Sequence, residues 1–116
     1  MREHDEANIE DCLYAIGHIE EYTKDIVSIH ELQHDSKTYD AVLMNFVVVA
    51  EACNRISSDL QAQYPKVAWQ GVRRFRNYIA HDYFGMDIDV VWQSLIVELP
   101  KLKRDLRRIL EDRQNP

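Results

Sequence analysis

An all-α, up-and-down bundle of four to five helices is the fold the sequence predicts, and three observations carry it. Apolar residues recur at helical spacing through most of the 116 residues. Only three Gly and three Pro interrupt them, too few for the turns of a sandwich or barrel. The links between periodic stretches are short, which makes successive helices antiparallel neighbours. A chain of this length suits one domain, 1–116, and buries roughly two-thirds of its unfolded surface. A single domain, not a multidomain enzyme, is the expectation.

The first helix runs from Asp5 to about Val27. Ile9, Leu13, Ile16, Ile19 and Ile26 form its stripe, with Glu20, Glu21 and Lys24 outside. Residues 29–39 lose the pattern and read as a connection with room for one helical turn. The second helix spans about Ser36 to Gln63, its stripe being Leu43, Phe46, Val47, Ala50, Cys53, Ile56 and Leu60; Pro65 stops it. The third extends from Val67 to about Tyr83, closing at Gly85. Asp87 is a good N-cap for Ile88 to Glu98. Pro100 sits in the first turn of a last helix, Lys101 to Asp112, carrying Leu102, Leu106, Ile109 and Leu110. Trp69 and Trp92 are expected to anchor the core or a dimer seam, and Cys12 and Cys53 to behave as small buried apolar groups.

Charge is unevenly spread around the net −6. Residues 1–40 carry eleven acids against three bases, whereas residues 66–81 hold Lys66, Arg73, Arg74 and Arg76 and no acid. From Pro100 onward six bases face three acids. An acidic chain is a poor general nucleic-acid binder, since phosphate contacts supply most of that affinity. Two basic islands can instead mark local anion sites. No apolar run approaches the ~20 residues of a membrane span, the acidic start is unlike a secretory leader, and the two cysteines make no metal or redox spacing. The expectation is a cytoplasmic protein with no membrane contact.

Two stretches carry candidate chemistry. His30-Glu31-Leu32-Gln33-His34 is a literal H-E-x-x-H, which on a helix stacks two imidazoles for zinc and offers a glutamate as base. Here it falls where helical periodicity fades, and no third ligand is marked by spacing. The expectation is two solvent-facing histidines in a linker, with a zinc hydrolase as the distant alternative. The second stretch runs from Arg73 to Gly85. On an ideal helix Val72, Phe75 and Ile79 share an apolar arc, while Arg73, Arg76, Asn77 and His81 share an adjoining polar sector. Fixed cations, an amide, an imidazole able to take and give a proton and the nearby phenol of Tyr83 suit a phosphodiester. The plain alternative is a surface helix with a histidine near its end.

Arg76-Asn77-x-x-x-His81-x-Tyr83 resembles the R-x4-6-H-x-Y motif of HEPN domains, specifically the HepT toxins paired with MNT-type nucleotidyltransferases. Asp40-Ala41-Val42 through Glu51-Ala52, Tyr64-Pro65, Trp69, and Tyr83-Phe84-Gly85 through Val91-Trp92 resemble the family as well. The likeness covers roughly Asp11 to Leu110. It implies an all-α homodimer with motifs from both subunits meeting in a cleft, and a metal-independent endoribonuclease acting as a growth-arresting toxin, with no cofactor.

The ribose 2′-OH of RNA would be the nucleophile. His81 would transfer protons, Arg76 would stabilise charge on the phosphorane oxygens, and Asn77 would position the phosphate or orient His81. Products would carry a 2′,3′-cyclic phosphate. Arg73, Arg74 and Lys66 would add sequence-independent phosphate contacts. The resemblance further implies that the partner nucleotidyltransferase attaches AMP to Tyr83 and silences the toxin. The competing reading is a HEPN binding subunit of a nucleotidyltransferase with little cleavage of its own.

Overall fold

The computed structural model describes residues 4–114. Its elements are α1 (Asp5–Thr23), α2 (Ile29–Gln33), α3 (Ser36–Asn54), α4 (Ser58–Gln63), α5 (Trp69–Asp82), a 3-10 turn (Tyr83–Gly85), α6 (Ile88–Gln93), a π-helical turn (Ser94–Glu98) and α7 (Leu99–Gln114). No strand occurs among the described residues. The expected all-α bundle is what forms: α3 packs between α1 and α5, α7 closes against α1, and α2 wedges between α3 and α6. Both tryptophans belong to the core, Trp69 buried and Trp92 packed against its edge.

The core is the meeting of these stripes. Ile9, Ile16 and Ile19 from α1, Val42 and Val49 from α3, Val91 from α6, and Leu106 and Ile109 from α7 are all at most 1% exposed. Burying a side chain of this kind is worth about 1.5–3 kcal/mol. Cys12 and Cys53 are buried where α1 meets α3, their sulfurs 3.3 Å apart. The bond to Cys53, and then burial, push the Cys12 thiol far above its ordinary range.

The structure redraws three boundaries. α1 ends at Thr23, whose hydroxyl donates to the Ile19 carbonyl at 2.8 Å; Ile26 reaches the core from the turn that follows. The expected long second helix is two helices, α3 and α4, broken at residues 55–57. Ser57 explains the break, since its hydroxyl accepts from the Leu60 N–H and so starts α4 as an N-cap. It is pinned there by the buried Asp5, whose carboxylate accepts from the Ser57 N–H at 2.7 Å and the Ser57 hydroxyl at 2.6 Å.

The third change concerns Pro100. It does lie in the first turn of α7, but no break precedes it, and the helix runs on from Ile88 through the π-helical turn. In that turn the Leu99 N–H donates to the Ser94 carbonyl, five residues back. Proline has no N–H to give and its ring crowds the carbonyl four residues earlier. A wider turn just ahead of it relieves that conflict.

α5 touches α3 along its length but stands off from α7. The gap is a cavity of about 350 Å³ floored by Phe46, Val49, Phe75 and Leu102 and edged by Arg74 and Asp105.

Candidate active site

α5 carries the basic island. It starts where Trp69, buried and donating its indole N–H to the Tyr64 carbonyl at 3.0 Å, anchors the chain after Pro65. Phe75 meets Phe46 of α3 edge-on, with ring centroids 4.9 Å apart, and Ile79 is buried beside it. These contacts fix the rotation of α5 about its axis, so its polar sector faces solvent. Beyond the helix, the Asp87 N–H donates to the Tyr78 hydroxyl at 2.7 Å and ties the following turn back onto α5.

On that sector Arg73, Asn77 and His81 lie at i, i+4 and i+8, a stripe of about 12 Å at the helical rise. His81 is exposed near the C-terminal end of α5, and among the described residues its ring takes no hydrogen bond or ion pair, so both nitrogens are open to a substrate. Arg76 turns toward α3, its Nε donating to Glu51 Oε1 at 3.1 Å. Its Nη1 meets the Asn77 amide oxygen at 3.4 Å. Asn77 therefore accompanies the arginine and makes no bond to His81 among the described residues. Tyr83 opens the 3-10 turn that follows, 40% exposed, and its hydroxyl donates to the Asp40 carboxylate of α3. That hydrogen bond, before any effect of burial, pushes the phenol above the ordinary tyrosine range.

Lys66, Arg73 and Arg74 gather at the other end of α5. Lys66 is exposed in the turn after Pro65, and Arg73 and Arg74 border a shallow depression with Gln61, Pro65 and Gln70. The candidate residues therefore spread along α5 and the turn after it, with cations at one end and the imidazole and phenol at the other.

Two acids on α3, Asp40 and Glu51, hold this face in place, and sequence reasoning assigned neither a role. They are eleven residues apart and so share one side of α3, just as Arg76 of α5 and Tyr83 of the turn after it, seven apart, both face α3. Asp40 meets the later of these two residues and Glu51 the earlier one, the crossing pattern of antiparallel helices. That paired spacing was the available signal.

The H-E-x-x-H stretch has a structural job. The Ser28 hydroxyl accepts from the Glu31 N–H at 3.2 Å and the Glu31 carboxylate accepts from the Val27 N–H at 2.6 Å, which caps α2. The two imidazoles lie 4.2 Å apart on the surface, while Leu32 between them is fully buried. With its carboxylate so engaged, Glu31 is not free to serve as a base. Among the described residues no three His, Cys, Asp or Glu side chains gather to hold a metal, and no helix is long and apolar enough to cross a membrane.

A helical bundle with arginine and histidine on its third long helix and tyrosine in the turn that follows is a HEPN-type domain. The chain belongs to the ribonuclease HepT-like family, which matches residues 12–109. Its relatives include "Probable ribonuclease HepT" of Thermococcus cleftensis, 32% identical across 87% of this chain and 91% of the relative. Another is "Putative RNase MJ0127" of Methanocaldococcus jannaschii, 30% identical across 88% of this chain and 84% of the relative. No solved structure gives a significant match.

Proposed function

We propose that this domain is a cytoplasmic, metal-independent endoribonuclease, the toxin of a toxin–antitoxin pair. In this reading it works as a homodimer and is silenced when a nucleotidyltransferase attaches AMP to Tyr83. One observation carries the reading: a guanidinium and an exposed imidazole, the latter unpaired among the described residues, stand five residues apart on the polar sector of α5 in a member of a ribonuclease family.

RNA brings its own nucleophile, the ribose 2′-OH, so the protein must supply only proton transfer and charge stabilisation. His81 takes the proton from the attacking oxygen or returns one to the leaving oxygen. Arg76, with Asn77 at its side, neutralises the non-bridging oxygens as the phosphorane forms. Lys66, Arg73 and Arg74 hold neighbouring phosphates. Attack by the 2′-OH leaves a 2′,3′-cyclic phosphate and a 5′-hydroxyl.

A single α5 is convex and offers one such set. A two-fold axis beside it doubles the charge and creates a cleft. AMP on Tyr83 would add a negative phosphate next to His81, where the RNA phosphate must sit.

The test is cleavage of total RNA and transfer RNA by wild type, by His81→Ala and by chelator-treated protein. Cleavage should survive chelation and fall by about 10²–10⁴-fold in His81→Ala. Full activity in that variant overturns the mechanism. A wild type that cuts nothing, yet binds a nucleotidyltransferase, would instead be a binding subunit.

A further inference from the structure

The phenol of Tyr83 is already committed to one neighbour. Asp40 projects from the first half of α3, 43 residues earlier in the chain, and accepts the hydrogen bond of the Tyr83 hydroxyl. Both residues are exposed. The Tyr83 ring packs edge-on against Phe84, with centroids 5.1 Å apart, and Phe84 is itself fully exposed. A hydrogen bond this open to water contributes little to folding. It does fix which group receives the phenolic proton.

We infer that Asp40 is the general base that activates Tyr83 for nucleotidyl transfer. The inference rests on the reading of Tyr83 as the AMP acceptor and adds a residue to it. A neutral phenol is a weak nucleophile and needs a base within about 2.6–3.2 Å of its proton. Asp40 is in hydrogen-bond contact with that proton before any nucleotide arrives. With a nucleoside triphosphate held by the transferase, the Tyr83 oxygen attacks the α-phosphorus. The new O–P bond forms as the bond from the α-phosphorus to pyrophosphate breaks. The phenolic proton passes to Asp40 and on to solvent, and pyrophosphate leaves with its electron pair.

The surroundings suit the step. Asp40 and Tyr39 face the phenol from α3, while His81 and Asp82 precede it on its own strand of helix. The carboxylate raises the proton affinity of the resting phenol, so little free phenolate exists. The proton leaves as the O–P bond forms. After transfer the ester oxygen carries no hydrogen, so the bond to Asp40 is lost. The new phosphate is repelled by that carboxylate.

The experiment mixes the purified chain with its nucleotidyltransferase partner, magnesium and ATP, and follows AMP on the Tyr83 peptide by mass spectrometry. Asp40→Asn keeps an oxygen that can accept the same hydrogen bond but is a far weaker base. It should slow transfer by about 100-fold or more near neutral pH. The nearly flat pH profile of wild type should become one that climbs about tenfold per pH unit, because solvent must then ionise the phenol. Asp40→Glu should restore part of the rate. Unchanged thermal melting and an unchanged helical circular dichroism spectrum show that the Asn variant is folded. Transfer to Asp40→Asn at the wild-type rate, or a slower transfer with the wild-type pH profile, overturns the base role and leaves the acceptor reading standing. Wild type that gains no AMP overturns the acceptor reading, and this inference with it.

Discussion

The guanidinium of Arg76 on α5 is tethered edge-on to Glu51 on α3, Nε to carboxylate, across 3.1 Å. Both side chains are well exposed, 39% and 48%, and an ion pair so open is worth about 0–1 kcal/mol to stability. Its use is orientation, because it fixes one edge of the planar fork and leaves the terminal nitrogens toward solvent and Asn77. Glu51→Gln should therefore lower kcat for RNA cleavage by about tenfold with little change in melting temperature. Arg76→Ala, which removes the charge itself, should cost about 10²–10³-fold. Single-turnover cleavage of a short labelled RNA measures both. Equal losses would show that Glu51 does more than orient.

Leu106 is 0% exposed at the centre of α7. Leu106→Ala should destabilise the domain by about 2–5 kcal/mol through lost burial and the cavity left behind, read from urea unfolding midpoints. Arg107→Ala, one residue on and exposed, should stay within about 0.5 kcal/mol.

Much of this was legible before any coordinates. The isoleucines of α1 and the Leu102–Leu106–Ile109 stripe of α7 fall on the core as their spacing requires, and the sector of Arg73, Asn77 and His81 faces solvent as the helical projection demands. What escaped was decided by partners distant in sequence. The apolar stripe continues through Cys53, Ile56 and Leu60 as if one helix ran on, and only the bond that Ser57 donates to Asp5 shows why a new one starts there. Asp40 and Glu51 stood only as the ends of a block that resembles the family, without a role, because the groups that give them meaning lie 43 and 25 residues away. At Pro100 the sequence offered a helix start, which was right for α7, but a wider turn was the cheaper local solution than a break.

The two thiols make a chemical prediction. Cys12 and Cys53 are buried and bonded to each other, and the pairing with Cys53 followed by burial drives the Cys12 thiol up, away from the reactive thiolate. A thiol reagent such as Ellman's should leave both untouched in native protein at pH 8 and titrate two per chain in denaturant. Rapid native labelling of either would mean that the seam between α1 and α3 opens readily.

Asp35 sets an acid limit. As the N-cap of α3 it accepts from the Thr38 hydroxyl at 2.7 Å and the Thr38 N–H at 3.1 Å, and these bonds hold its carboxyl below the ordinary value of 3.8. A folded-state pKa below the unfolded one means the stabilisation is fully present above about pH 5 and is lost as pH falls through the folded value. Asp35→Ala should be less stable than wild type at pH 7, and its stability should decline less steeply between pH 5 and pH 2. Parallel decline of the two curves in thermal melts would remove Asp35 from the acid response.

The widened turn before Pro100 acts as a phase adjuster for everything C-terminal to it. Val91, Leu95 and Leu99 are all buried although each lies four residues after the last, a repeat that would drift about 40° per step around an ordinary helix. The extra residue absorbs that drift, and with it sets the azimuth at which the basic tail leaves the bundle. Lys103 reaches Glu20 of α1 at 2.7 Å only at that azimuth, whereas the pairs of Asp105 with Lys101 and Arg108 lie within α7 and turn with it. Deleting one residue from 94–97 would keep every charge in the chain yet swing the whole tail through about 100°, carrying its positive side to a different quarter of the molecule.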